Sequence, residues 1–382
     1  MLTRPIGRVV LGMGVALLSA AGAFAHEGHT HDSKADSSAP ERIVIAAAAG
    51  GSAAPATKGV TGQGNLKFKV LHTSKALPAA AMKGLNAAHG GFAVDRREGK
   101  GEIYFALPKV GIIRISADMN KIEVLPTDET MAATNMHNTT VWYGKESAAY
   151  LTFPGNQSNK VYTTTIEGGL LNTLDAPTSE TPFDEATVSK YFADGGKFVP
   201  TDVEVLDKRF YVTTGYSPLD WVLTADVGTE GGISAAWTPF AFGGKGNGPG
   251  QFGTGHGITI APDGKTITVA DRANAEIESF DTTGKHLGKL DMPKGSLPCD
   301  IDYQSGYMIV GCLKGPNPDL GAPIYLVDDA GEIKSTIMIK EDLGLEKFIH
   351  IHNAVMVERD GKFYIIAQAW NPGDFAILEQ VK

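Results

Sequence analysis

The sequence predicts an all-β protein, a six-bladed β-propeller, on three observations. First, residues 248–284 read as an antiparallel meander: ITIA and TITVA joined by the turn Pro262-Asp263-Gly264-Lys265, then EIESF before a second glycine turn. A meander this short presents an apolar face it cannot bury alone, so sibling units must stack beside it around an axis. Second, six blade starts recur: AHGGFAVD at His89, MHNTTVWY at His137, PTDVEVL at Thr201, GHGITIAP at His256, PCDIDYQ at Cys299 and IHNAVMVE at His352. Their spacings of 48, 64, 55, 43 and 53 residues suit four-stranded blades with variable loops. Third, glycine is abundant (46 of 382) and segments of helical period are few, which favours strands and turns throughout.

In chain order, residues 1–25 carry Arg4 and Arg8, an apolar run from Val9 to Leu18, and Ala23-Phe24-Ala25. This is the pattern of a secretory signal peptide cleaved near Ala25, and the run is too short to span a bilayer comfortably. A secreted or periplasmic protein beginning at His26, with no membrane span, is expected. Residues 26–64 are expected to be a flexible tail and linker. It opens HEGHTHD, where His26, His29, His31 and the free α-amine of His26 offer four nitrogens to zinc, copper or nickel. The propeller is expected over 65–382. LKFKVL (66–71) alternates as a strand, and DFAILEQ near the C-terminus reads as a late blade strand; the two are expected to pair and close the ring, removing exposed edges. The longest interval leaves room for a short helix, DEATVSKYF.

The formal charge is −9, and losing Arg4 and Arg8 with no acid makes it −11. Such a chain is a poor partner for nucleic acid and suits cations or basic partners. There is no GxSxG, GxxxxGK[ST] or HExxH. If Gln304 to Tyr307 is a turn, Cys299 and Cys312 fall opposite each other on neighbouring strands, which in an oxidising compartment predicts a disulfide; a thiolate metal ligand is the alternative.

Four of the six equivalent blade starts are histidine: His89, His137, His256 and His352. Innermost strands converge on a propeller's channel, so these distant residues become neighbours and predict a metal site. His137, His256 and His352 come from alternate blades, a pseudo-threefold set that suits an exchangeable or catalytic zinc with an open position. His89 is a possible fourth ligand, and four imidazoles without a carboxylate also suit iron or copper. His350 is an outer candidate only. The 262–265 turn places Asp271 opposite His256, where a carboxylate would accept the ring N–H and fix its tautomer; its alternative role is structural.

The 248–284 stretch resembles the NHL repeat in its GqF start, D-G turn, VAD, N-x-x-I step and F-D. Over about residues 198–381 the chain also resembles the peptidyl-α-hydroxyglycine α-amidating lyases, zinc-containing six-bladed propellers. His256 (GHGITI) and His352 (IHNAVM) match that family's zinc-ligand context, and His137 (MHNTTV) matches it loosely. Thr214-Gly215-Tyr216 looks like its D-G-Y motif and Arg272 like one of its arginines; the family's blade-one arginine has no counterpart, the matching stretch being Tyr104 to Pro108 with Lys109 close by. The resemblance implies a zinc-dependent lyase in which Tyr216 is general base and Arg272 holds a carbonyl or oxyanion, acting on a small-molecule or peptide substrate. An exported zinc-binding protein or metallochaperone, whose N-terminal histidines feed the central site and which hands metal to a transport partner, is the alternative expectation. A protein-binding scaffold is the second. A monomer is expected in each case.

Overall fold

Each meander the sequence marks becomes a sheet. The computed structural model describes residues Gly59 to Val381, and these form the expected six-bladed β-propeller: five four-stranded sheets and one of five strands. His26, His29, His31 and the Ala25 region lie outside the described residues. The innermost strands of blades one to six are Ala93–Val94, Thr140–Tyr143, Asp202–Leu206, Gly255–Ile260, Pro298–Gln304 and His350–Arg359. They follow the six blade starts in the order the sequence gives.

The ring closes as expected. Leu66–Thr73 pairs antiparallel with Asp374–Gln380, so the N-terminal strand becomes part of blade six. Thr61–Gln63, inside the stretch read as linker, adds an outermost strand to that blade. Its three residues are too few to show an alternation in sequence. The hairpin also reaches blade five, where Gln63 N donates to Ser335 Oγ at 2.9 Å and Thr61 Oγ1 accepts from Met338 N at 2.7 Å.

Six buried apolar clusters hold the described residues together, each spanning two neighbouring blades. This is what alternating strands require: the apolar face of one sheet is covered by the next. The expected excursion in blade two's long interval contains the helix Ala186–Ala193, which buries Val188 and Phe192 against blades two and three. No helix among the described residues is long and apolar enough to cross a membrane.

Candidate metal centre

The blade-start residues are aimed at the axis by a repeated irregularity. In blade four, Gly255 pairs with Asp271 but the next pair is Ile258 with Val269, a one-residue slip around His256. Blade five slips at Cys299, between Pro298–Cys312 and Asp300–Gly311. Blade six slips at His352, between Ile351–Ala369 and Asn353–Gln368. Blade two slips between the Met136–Gly155 bridge and Thr140–Thr152, a stretch containing His137. A β-bulge leaves one residue out of the ladder and bends the strand, which turns that side chain away from the sheet faces.

The slip overturns two expectations. Cys299 and Cys312 do not form a disulfide; both are free and buried. Cys299 is the extra residue of the bulge and Cys312 faces Pro298 instead, packed among Ala270, Ile277, Val310 and Tyr325. Asp271 likewise pairs with Gly255 and does not orient His256. Its carboxylate accepts from Gly253 N and Thr254 N at 2.8–2.9 Å and from Asn274 Nδ2 at 2.6 Å, so it organises the loop before the strand.

His137, His256 and His352 form a nearly equilateral triangle, with ring centroids 4.8, 4.7 and 4.8 Å apart. All three are buried. His89, half-buried, stands 4.5 Å from His137 and 4.2 Å from His352. His350 stays outside, with its ring against Trp370 and Nδ1 at 3.2 Å from the Asn371 carbonyl.

Two of the rings are fixed by the next blade. His137 Nδ1–H donates to the Thr201 carbonyl at 2.6 Å and His256 Nδ1–H to the Cys299 carbonyl at 2.7 Å. A carbonyl can only accept, so both neutral rings present the Nε2 lone pair inward, the tautomer a metal requires. Both Nε2 atoms face the Tyr216 hydroxyl, at 3.2 and 3.0 Å. That hydroxyl also accepts from Arg272 Nη1 at 3.1 Å, and the guanidinium carbon lies 5.1 Å from the phenol ring centroid. The structure thus brings Tyr216 and Arg272 to the cluster. His89 Nδ1 faces the Asn135 amide at 2.8 Å, a partner that can serve either tautomer by turning over, so its ring is less constrained.

His352 is different again: neither ring nitrogen has a partner, although the residue has no exposed surface. Two donor sets share it. His89, His137 and His352 have donor atoms within 4.8 Å of one another, and so do His256, Cys299 and His352. The donors are nitrogen and sulfur with no carboxylate, a set that fits zinc or copper and not calcium or magnesium. Burial pushes all four imidazoles below the usual histidine range, His137 to about 3, with Arg272 adding to the effect. The lone pairs therefore stay unprotonated at neutral pH. Burial also raises the Tyr216 hydroxyl and lifts the Cys299 thiol to about 11.

One residue further along the strands lies a second polar tier. Asp300 accepts from Asn138 Nδ2 at 3.4 Å, and Asn353 Nδ2 donates to Asn138 Oδ1 at the same distance. Asp202 accepts from Val203 N and Ile258 N at 2.7 and 2.8 Å. These carboxylates line a channel cavity of about 340 Å³ with Glu204 and Asp302; none of the cluster's histidines does. Burial drives Asp300 up to about 8 and Glu204 to about 7, and Asp202 is raised too, with Asp300 adding to its burial. No motif in the sequence marks this acidic tier, which follows from the register once the bulge is known, whereas Cys299 stands on the axis as its place among the six blade starts implies.

No family model and no curated protein matches the sequence. Among solved structures the chain is similar to a catalytically inactive virginiamycin B lyase from Staphylococcus aureus with quinupristin, at 13% identity, covering 78% of this chain and 97% of that one, with a TM-score of 0.44. It is similar to a streptogramin B lyase at 14% identity, 77% and 94% coverage and a TM-score of 0.45. It is also similar to the Kuenenia stuttgartiensis hydrazine synthase at 15% identity, 60% and 55% coverage and a TM-score of 0.36.

Proposed function

We propose that this chain is an exported metal-handling protein that holds zinc at the propeller axis. The observation that carries it is His352, a buried imidazole with both nitrogens unpartnered in the middle of three other imidazoles and a thiol. An unpaired buried polar group costs about 1–3 kcal/mol, and binding a cation there relieves it. The donor set is crowded and screened by the Tyr216 hydroxyl, and the 340 Å³ cavity lies among other residues, which suits holding a metal better than presenting it to a substrate. The signal-peptide pattern supports export, and the HEGHTHD tract supports metal collection at the mature N-terminus.

The test is elemental analysis of protein purified without added metal, comparing the chain from His26 with one from Lys34. One zinc retained by both, with further zinc on the longer chain that transfers to a demetallated core, is the expected result. Absence of stoichiometric metal from both chains overturns the proposal.

A second reading, a zinc-dependent lyase of the amidating type, is favoured by one arrangement: Arg272 bonded to a Tyr216 hydroxyl that faces two histidine Nε2 atoms. In that reading zinc supplies Lewis acidity toward a substrate hydroxyl. Tyr216, as a phenolate steadied by Arg272, would take the hydroxyl proton and return it to the amide nitrogen as the carbonyl forms and the C–N bond breaks, with Arg272 holding the developing oxyanion. Glyoxylate release from a peptidyl-α-hydroxyglycine, lost in Tyr216→Phe with zinc retained, would establish it; no release from zinc-loaded protein removes it.

A further inference from the structure

Cys299 and Cys312 are both buried and free, yet their surroundings differ in kind. Cys312 sits among apolar side chains of blades four and five. Cys299, turned out of the ladder by the bulge, occupies in blade five the position that histidine occupies in blades one, two, four and six. Its sulfur, a ring nitrogen of His256 and one of His352 lie within 4.8 Å of one another. Burial disfavours its anionic form and the nearby Arg272 charge favours it. Its contact to a carbonyl, that of Leu297, is long at 3.8 Å. Cys299 and His352 have no exposed surface, and His256 is 2% exposed.

From this geometry we propose that Cys299 is a thiolate ligand of the metal centre, so that zinc rests on His256, Cys299 and His352. The inference rests on the metal-holding reading and sharpens it. On binding, the S–H bond breaks, a sulfur–zinc bond forms, and the proton leaves to solvent, one for each zinc bound. Arg272, whose charge favours the anion, balances the thiolate as it forms. A soft sulfur donor also discriminates against magnesium, calcium and manganese, which prefer oxygen. The second donor set, His89 with His137 and the shared His352, then lies beside the resting site and includes the half-buried His89.

The experiment is X-ray absorption at the zinc edge on the whole secreted chain loaded with one equivalent, beside Cys299→Ser and Cys299→Ala. A sulfur shell at about 2.3 Å with nitrogen at about 2.0–2.1 Å is expected in the parent protein, and its loss in both variants. A parent protein that binds one zinc through nitrogen and oxygen alone overturns the proposal and leaves metal holding intact; that is the result if zinc rests on His89, His137 and His352. Failure to bind zinc overturns both. Cobalt(II) substitution of the parent protein gives a readout that needs no variant: a sulfur-to-cobalt charge-transfer band is expected, and bound cobalt without it sinks the proposal. Thiol titration of the unfolded, demetallated chain should count two free thiols, and a count of zero refutes a Cys299 ligand.

Discussion

His352 is where the residue-level energetics are most unusual. Its neighbours His137 and His256 each spend one nitrogen on a carbonyl, whereas His352 spends neither, and both are buried. Without metal, an apolar residue of similar reach should be tolerated there, because replacing an unsatisfied group removes a penalty of about 1–3 kcal/mol. With metal, the same change removes the one ligand common to both donor sets. His352→Leu is therefore expected to unfold in urea, with chelator present, at a midpoint equal to or above that of the parent. It should also lose the stabilisation that zinc gives the parent. A variant destabilised by 2 kcal/mol or more in chelator would show that His352 has a structural role of its own.

At the scale of elements, the bulges in the inner strands of blades two, four, five and six decide both what the sequence reveals and what it hides. The alternation of ITIA and TITVA and the recurrence of histidine at equal register expose the blades, their order and the convergence of His89, His137, His256 and His352. A one-residue slip leaves that alternation unchanged within each strand while altering every pairing before it. So turn-based pairing holds for Asp300 with Gly311 and fails one step away at Cys299, and it fails for Asp271 by the same slip in blade four. The bulge in turn depends on close backbone approach. A Cβ on Gly215 would lie 2.3 Å from the Gly255 carbonyl oxygen, next to His256 and one residue before Tyr216. Backbone cannot rotate away as a side chain does, so Gly215→Ala should cost about 1–3 kcal/mol in urea unfolding. It should weaken zinc binding more than an exposed change such as Lys294→Ala. Unchanged stability and affinity would mean that blades three and four separate freely at this point.

Across the whole molecule, the two tiers on the axis respond to pH in opposite directions. The histidines have lowered values, so their contribution is complete above the unfolded value of 6.5 and is lost as pH falls, for His137 toward about 3. Asp300 and Glu204 are raised to about 8 and about 7, so their contribution is complete below the unfolded values of 3.8 and 4.5 and is lost as pH rises through those raised values. The histidines' gain ends near pH 6.5 while the acids' loss continues to about pH 8, so metal-free protein should be most stable near pH 6.5, and Asp300→Asn should flatten the decline in Tm from there to about pH 8.5. An unchanged slope would place the charge burden elsewhere. All of this requires a closed ring, and closure depends on the strand Leu66–Thr73. It covers the edge of Asp374–Gln380 and fully buries Leu66 and Phe68. Losing two such side chains costs on the order of several kcal/mol, and the uncovered edge invites pairing between chains. A chain beginning at Gly59 should keep one cooperative urea transition and elute as a single species. A chain beginning at Lys75 should unfold at lower urea, bind zinc poorly because blades one and six no longer hold His89 against His352, and associate on size exclusion. Adding a peptide of residues 59–74 should restore the transition. An unaltered midpoint without the peptide would show that blades one to six close without their N-terminal strand.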